Sequence, residues 1–148
     1  MQTSPGDLDP AASLTPTTGM QPLDRRVVLS GLWTSMLFVF AYVDIFAFYR
    51  ADVLRGALAG ELSGAGFDID QTFLAATTLY ILVPSLMVAG CLLLPYRFSR
   101  LANLTLAVLY LVTIVGSMMG ETWIYYLLGS AVEVVLLAVI ATVAARWR

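Results

Sequence analysis

The sequence predicts an all-α, polytopic membrane protein in which four transmembrane helices form an antiparallel bundle. Hydrophobic residues make up 59% of the 148 residues and charged residues only 12%, about half the charged share of a soluble domain. In addition, four apolar runs each approach the ~20 residues that a helix needs to cross ~30 Å of hydrocarbon. Because a backbone in lipid must satisfy its own hydrogen bonds, each run is expected to be a helix.

The four apolar runs are separated by polar or Gly- and Pro-containing stretches. They cover about residues 27–49, 72–94, 101–119 and 122–145, within one transmembrane domain at residues 25–148. Residues 1–24 are rich in Pro, Thr, Ser and Asp and lack apolar periodicity, so we expect a disordered cytoplasmic tail there.

Arginine placement predicts the orientation of the helices, because cytoplasmic loops of membrane proteins carry an excess of basic residues. If the four helices alternate in direction, six of the eight basic residues, all of them Arg, share one side of the membrane. The other side receives Arg50 and Arg55 beside several acids. Both termini are therefore expected to be cytoplasmic.

The first outer loop, residues 50–71, is the only long connection. Its segment ADVLRGALAGEL spaces apolar residues at near-helical intervals. A short helix lying at the membrane interface is expected there.

Several kinds of site are excluded by residue types that the sequence lacks. There is no His, which excludes His-ligated metals and Ser-His or Cys-His nucleophile pairs. Cys91 is the only cysteine, so no internal disulfide can form. The net charge of −2 does not suggest a nucleic-acid partner. We expect no metal and no cofactor, and an enzyme is the less favoured class.

Glu133 is the most informative polar residue, because it lies inside the last apolar run. It is twelve residues beyond Glu121, or about 18 Å along a helix, which places it near the middle of the membrane. A carboxylate there is unfavourable by at least a few kcal/mol unless it is neutralised or hydrogen-bonded. Helical spacing puts Glu133 on the same half of the helix as Glu121 and Tyr125. This half is expected to face the other helices, with Glu133 uncharged.

A second acid, Asp44, lies six residues before Arg50, or about 9 Å below the outer boundary of the membrane. Glu121 begins the fourth helix on the same side. This matched depth predicts an outer cluster of Asp44, Arg50, Glu121 and Tyr125. For Tyr125, a place in an interfacial aromatic belt is the alternative interpretation.

Pro84 interrupts the second transmembrane helix within ILVPSLMV. It removes one backbone donor and frees a carbonyl about one turn earlier. Ser85 and Tyr110 are expected at a depth similar to that of Glu133, which predicts an intramembrane polar site of Glu133, Ser85, Tyr110 and the Pro84 kink. Two roles for this site stay open: a structural hydrogen bond between helices, and transport or ligand binding.

Two further motifs carry weaker signals. Gly116 and Gly120 in GSMMG have the GxxxG spacing that permits close approach of helices. Asn103 begins an Asn-Leu-Thr glycosylation pattern, which has no meaning on the expected cytoplasmic side.

Several segments resemble an uncharacterised family of small bacterial four-helix membrane proteins, classified only as a domain of unknown function. The resembling segments are YVDIFAFYR, AGFDIDQTFL, VPSLMV with LPYRFSRLANL, and GETWIYY with EVVLL, and they span most of residues 27–148. The resemblance implies a four-helix membrane fold in a bacterial inner membrane. It implies no activity and no functional residues.

The favoured function is a small accessory or interaction subunit, or a homo-oligomeric membrane component, because four short helices enclose little space. The alternative is an oligomeric proton-linked transporter or channel that uses Glu133 and Asp44. A membrane enzyme acting on lipid or quinone is the third hypothesis. The expected partners are the lipid bilayer and either further copies of the chain or a larger membrane complex.

Overall fold

The computed structural model describes residues 24–62 and 66–147. Apart from Asp24, the expected N-terminal tail lies outside these residues. The predicted all-α fold is confirmed, with five helices: α1 (Arg25–Ala47), α2 (Ala51–Ala59), α3 (Gln71–Leu93), α4 (Tyr96–Ser117) and α5 (Ile124–Ala145). All except α2 are long and apolar enough to span a membrane, and α2 is the short helix expected in the first outer loop.

Local sequence explains where the long helices begin. The Asp24 carboxylate accepts a hydrogen bond from the backbone N–H of Arg26 at 2.9 Å, and Asp70 caps α3 by accepting from Phe73 at 2.7 Å. Such bonds satisfy donors that have no partner within the helix. The helix α4 begins at Tyr96, directly after Pro95. Its first turn is too polar to belong to an apolar run, although it is helical.

The four long helices contact each other in the cyclic order α1, α3, α4, α5, and the contact between α3 and α4 is the least extensive. Neighbouring helices are antiparallel. At one end, here called the Arg-rich end, α1 and α4 begin and α3 and α5 finish. The opposite end is here called the α2 end.

Arginine side chains at the Arg-rich end donate hydrogen bonds to backbone carbonyl groups at the ends of neighbouring helices. The last carbonyl groups of a helix have no partner within it. Arg26 of α1 donates to the carbonyl of Leu92 in α3 at 3.0 Å, and Arg100 of α4 donates to the carbonyl of Ala145 in α5 at 3.2 Å. Arg25 makes a similar bond to the end of α5. These contacts tie the four helices together where their backbone groups are unpaired.

The buried core is concentrated in the Arg-rich half and at mid-depth, around the fully buried side chains of Leu29, Trp33 and Ile140. In contrast, the first nine residues of α3 contribute no fully buried side chain to it. Residues 71–79 are exposed except for the half-buried Phe73, and the first buried residue of α3 is Pro84. The half of α3 nearer the α2 end is therefore mostly exposed up to Tyr80, which packs against the core.

Candidate functional site: a polar cavity in the α2 half

A cavity of about 270 Å³ lies between the four long helices on the α2 side of the core. Helix α1 contributes Asp44, α3 contributes Tyr80, α4 contributes Thr113, and α5 contributes Glu133. Among the described residues, the lining is Phe40, Val43, Asp44, Tyr80, Thr113, Ile114, Ser117, Tyr126, Ser130 and Glu133. Asp44, Thr113 and Ser117 are exposed, so the cavity is open to its surroundings.

Glu133 lies on the inner face of α5 with only 3% of its surface exposed. Its Oε1 atom has no hydrogen-bond partner in the described part of the chain. Buried polar groups in native proteins nearly always have partners, so this oxygen is an exception that calls for an explanation. Glu133 therefore offers an unused acceptor at the wall of the cavity.

The structure places Asp44 beside this same cavity and not in the outer cluster. Within the described ranges, no hydrogen bond or ion pair joins Asp44 to Arg50 or Glu121. Two features explain this difference. Antiparallel contact of α1 with α5 turns Asp44 toward the cavity that Glu133 lines, and Arg50 lies beyond the end of α1, where other acids hold it.

Arg50 and Glu121 do meet, at the surface of the α2 end. The Arg50 guanidinium donates to Glu121 at 3.0 Å and to both carboxylate oxygens of Asp52 at 3.2 and 2.6 Å. It also lies 4.6 Å from the centre of the Trp123 ring, within the range of a cation–π interaction. The site therefore joins the start of α2 to the connection between α4 and α5.

The pKa values of these charged groups follow from their contacts. The hydrogen bonds to Asp52 are the main cause that raises the pKa of Arg50, and they outweigh the desolvation that lowers it. The same bond to Arg50 lowers the pKa of Asp52. Partial burial raises the pKa of Glu121, but the backbone N–H groups of Thr122 and Trp123 together with Arg50 outweigh it and lower the pKa overall.

Tyr125 lies beside this cluster and packs there through its aromatic ring. Its ring packs edge-on against Trp123 at 6.2 Å and against Phe46 at 6.5 Å between centroids. The Tyr125 hydroxyl is buried without a partner in residues 24–62 and 66–147. These contacts are aromatic packing between the start of α5 and the end of α1.

Pro84 lies inside α3 one turn after Tyr80, which lines the cavity, and the backbone carbonyl that Pro84 frees is occupied. Pro84 has no N–H to donate to Tyr80, one turn earlier. The Tyr110 hydroxyl donates to that carbonyl instead, and the Tyr80 hydroxyl lies 2.7 Å from the Thr113 hydroxyl. Tyr110 therefore compensates for the proline and holds α4 against α3.

The predicted grouping of Glu133 with Ser85 and Tyr110 is not what the structure shows. Ser85 donates to the carbonyl of Ile81 in its own helix at 2.8 Å, and Tyr110 bonds to α3 and not to Glu133. The sequence analysis grouped these residues because it placed them at a similar depth in the membrane, but their side chains point in different directions. Tyr80, Thr113 and Ser130, which the sequence analysis did not single out, supply the polar lining instead.

A second buried polar group, missed from the sequence, lies in the Arg-rich half. The Asn103 side chain accepts from the Trp33 indole N–H at 2.7 Å and donates to the carbonyl of Ser99 at 2.7 Å. The thiol of Cys91 lies 3.5 Å from Asn103. Asn103, Cys91 and Ser99 are fully buried. An Asn inside an apolar run, four residues after a Ser, was the signal that could have identified this group.

Close helix approach occurs at Gly129 and not at the GxxxG pair. A Cβ atom at Gly129 would lie 2.2 Å from a methyl group of Val43, whereas a Cβ at Gly116 or Gly120 would meet nothing within 4 Å. Gly129 thus lets α5 approach α1 beside the cavity. Gly120 has a φ of 87°, which suits the turn before α5.

The described residues contain no group of three or more His, Cys, Asp or Glu side chains that could hold a metal ion. The cavity offers two carboxylates, several hydroxyls and aromatic walls. Such a lining can bind protons or a small cation.

The chain belongs to a family of unknown function, DUF6326, whose sequence profile matches residues 21–148. This confirms the resemblance seen in the sequence. No curated protein and no solved structure is significantly similar to the chain.

Proposed function

We propose that this member of DUF6326 is a proton-linked transport component of the membrane, in which Glu133 takes up and releases the proton. The observation that carries the proposal is the buried Glu133 Oε1, which has no hydrogen-bond partner within residues 24–62 and 66–147, at the wall of a cavity that also contains Asp44. A carboxyl group that served only as a structural contact would be hydrogen-bonded to a neighbouring helix. Asn103, a buried polar group that does join helices, has partners on two other helices.

The shape of α3 supports access to this cavity. Its residues 71–79 are exposed except for the half-buried Phe73, and its first fully buried residue is Pro84. Proline inside a transmembrane helix is a common site of bending. Movement of the outer half of α3 about Pro84 would change the opening beside Tyr80, which lines the cavity.

Proton flux in proteoliposomes tests this proposal. The full chain is reconstituted with a pH-sensitive dye inside the vesicles, and an inward proton gradient with a potassium diffusion potential is imposed. We expect flux above that of empty vesicles, and loss of it in Glu133→Gln. Glu61→Gln, an exposed acid outside the cavity, is the matched control and should keep the flux. Equal flux in wild type and Glu133→Gln would refute the proposal.

A second candidate function, an interaction subunit or homo-oligomer, is favoured by a different observation. The exposed half of α3 leaves a helix face without contacts among the residues described. A second copy of the chain would cover it. In a Cys91→Ala background, oxidation of Leu79→Cys should then give a cross-linked dimer in native membranes. Val112→Cys is the control, because Leu79 and Val112 are 62% and 65% exposed. Equal cross-linking of both positions would mean random collision.

We also propose that the protein lies in the bacterial inner membrane with both termini cytoplasmic, on the basis of the Arg excess at the Arg-rich end. External labelling of single cysteines in a Cys91→Ala background checks this orientation. Arg55→Cys in α2 should react and Phe98→Cys in α4 should be protected. The reverse pattern would overturn the orientation.

A further inference from the structure

We infer that the cavity between Asp44 and Glu133 binds a small protonated amine, which exchanges with the proton at this site. The inference rests on the proposed function, since it assigns the substrate class of the same cavity. It draws on four properties of the cavity: the sign of its charge, its unused acceptor, its aromatic walls and its size.

The charge of the lining selects a cation. Among the residues that the structure describes, two carboxyl groups line the cavity, and none of the seven described Arg residues is in its lining. Arg50, at the same end of the molecule, is held by Asp52 and Glu121. A buried acid without a basic partner is stabilised either by a proton or by a bound cation. An anionic ligand would be repelled by the carboxylates of the cavity, so we exclude anions as its substrate class.

The unused acceptor selects a cation that carries N–H groups. Glu133 Oε1 lacks a donor in the described part of the chain, and an ammonium N–H would supply it with a charge-assisted hydrogen bond. A quaternary ammonium has no such donor. A hard metal ion would need six or more oxygen ligands, whereas the described residues bring no cluster of three metal-binding side chains together.

The walls and the volume of the cavity select a small ligand with an apolar body. Phe40, Tyr80 and Tyr126 present aromatic rings to the cavity, and such rings attract organic cations. The cavity volume of about 270 Å³ is the volume that about nine water molecules occupy in liquid water. This is just below the lower limit for sites that take drug-sized molecules. A monoamine with one small ring or a short chain fits these limits.

Exchange with protons follows from the shared carboxyl groups. Three other titratable groups line the cavity with Glu133: Asp44 from α1, Tyr80 from α3 and Tyr126 from α5 itself. The polar groups that α4 adds are the hydroxyls of Thr113 and Ser117. An ammonium that binds to Glu133 in its neutral form displaces its proton, and the proton leaves to solvent. Linkage requires that protons weaken amine binding to the same extent that the amine weakens proton binding.

The test uses benzylammonium and its neutral analogue benzyl alcohol, with the full chain in nanodiscs. Binding is measured by saturation-transfer NMR and calorimetry. We expect benzylammonium to bind at least about tenfold more tightly than benzyl alcohol, since a charge-assisted hydrogen bond is worth about 1.5–3 kcal/mol. Benzyltrimethylammonium, which lacks N–H groups, should bind more weakly than benzylammonium. In weak buffer, benzylammonium should release protons.

Variants separate this inference from the proposed function. Glu133→Gln should weaken benzylammonium binding by about tenfold or more, and Asp44→Asn should weaken it to a smaller extent, because Asp44 lies at the exposed side of the cavity. Glu61→Gln should bind as wild type does. Proton flux that depends on Glu133 without preference for benzylammonium over benzyl alcohol would overturn the amine assignment and leave the proposed function standing. If the Glu133-dependent proton flux and the preference for benzylammonium are both absent, the proposed function and the amine assignment are both overturned. Competition by Na⁺ in place of amine would show an inorganic cation site.

Discussion

Asn103 and Glu133 are both almost fully buried in the same four-helix domain, yet their surroundings differ. Asn103, in the Arg-rich half, has hydrogen-bond partners on its own helix and on α1, with the Cys91 thiol of α3 close by. Glu133, in the α2 half, faces an open cavity and leaves one oxygen without a partner. Polar groups with partners hold helices together, and polar groups without them are available to ligands. Burial alone does not distinguish the two roles.

The same contrast extends to the backbone. In the Arg-rich half, Arg side chains occupy the carbonyl groups at the ends of α3 and α5. In the α2 half, the side chains of α3 over residues 71–79 are exposed except for the half-buried Phe73. One half thus has the contacts of a rigid base, and the other has the space and the missing contacts that movement requires.

The largest effect is expected for Asn103→Ala in the Arg-rich half. The substitution removes the acceptor of the Trp33 N–H and leaves a cavity, so we expect a loss of about 2–4 kcal/mol in the free energy of unfolding. SDS-induced unfolding in mixed micelles measures this loss. Asn103→Leu, which fills the volume, should recover the part due to the cavity. An unchanged stability of the Ala variant would show that Asn103 does not hold the rigid half together.

The next largest loss of stability is expected at the contact between α1 and α5. Gly129→Ala would place a methyl group 2.2 Å from a methyl of Val43, and such overpacking costs about 1–3 kcal/mol. Gly116→Ala, which meets open space, is the matched control and should not destabilise the protein. Adding Val43→Ala to Gly129→Ala should restore part of the loss. Equal effects at Gly129 and Gly116 would contradict the assigned contact.

Glu133→Leu is expected to act in the opposite direction to Asn103→Ala. It replaces a buried acid that lacks a full set of partners with an apolar side chain, so stability should rise by about 1–2 kcal/mol. The same unfolding assay measures the change, with Glu133→Gln as the polar control. A marked loss of stability in Glu133→Leu would mean that the carboxyl group is a structural contact and would remove the contrast between the two halves.

A smaller effect is expected where Tyr110 compensates for Pro84. Tyr110→Phe leaves the Tyr80 carbonyl without its donor and should destabilise the protein by about 0.5–1.5 kcal/mol. In a Pro84→Ala background the new backbone N–H can reach this carbonyl, and Tyr110→Phe should then have less effect. A double-mutant cycle measures the difference. Additive effects would show that the hydroxyl and the proline are independent.

The smallest effect on stability is expected for the partly buried ion pair of Arg50 with Glu121. Glu121→Gln should reduce stability by about 0.2–1 kcal/mol at neutral pH. Because the pKa of Glu121 is lowered in the folded protein, its contribution is present above the unfolded pKa of about 4.3 and disappears as the pH falls through the folded value. Unfolding of wild type and variant between pH 3 and 7 checks this. A difference that grows in acid would contradict it.

The sequence was sufficient to predict four spanning helices because the length of an apolar run reports directly on membrane thickness. It was less informative about where a helix begins. The first turn of α4 carries Arg97 and Arg100 and lies outside the apolar run, yet Pro95 precedes a helix that starts at Tyr96. An apolar run marks the segment in hydrocarbon, and a helix can extend beyond it into the interface.

The site was harder to predict because depth along one helix does not determine which neighbour a side chain faces. The predicted meeting of Arg50 with Glu121 is found in the structure, since both lie at helix ends where few directions are available. Asp44 was assigned to the same cluster by depth, but the contact of α1 with α5 directs it to the cavity with Glu133. Asn103 was read only as a glycosylation pattern. The cyclic order of the helices was the missing information.

The arginine contacts at the Arg-rich end connect insertion into the membrane with the finished fold. Basic residues beside transmembrane segments direct which side of the membrane a loop remains on. In this protein Arg26 and Arg100 also bind the backbone of α3 and α5. A substitution that removes one of these charges changes the signal that sets the orientation of the helices during insertion. It also removes a hydrogen bond between two helices of the folded protein. Experiments that invert the protein by moving its charges will therefore also produce a looser molecule, unless the carbonyl groups receive a neutral donor such as Gln.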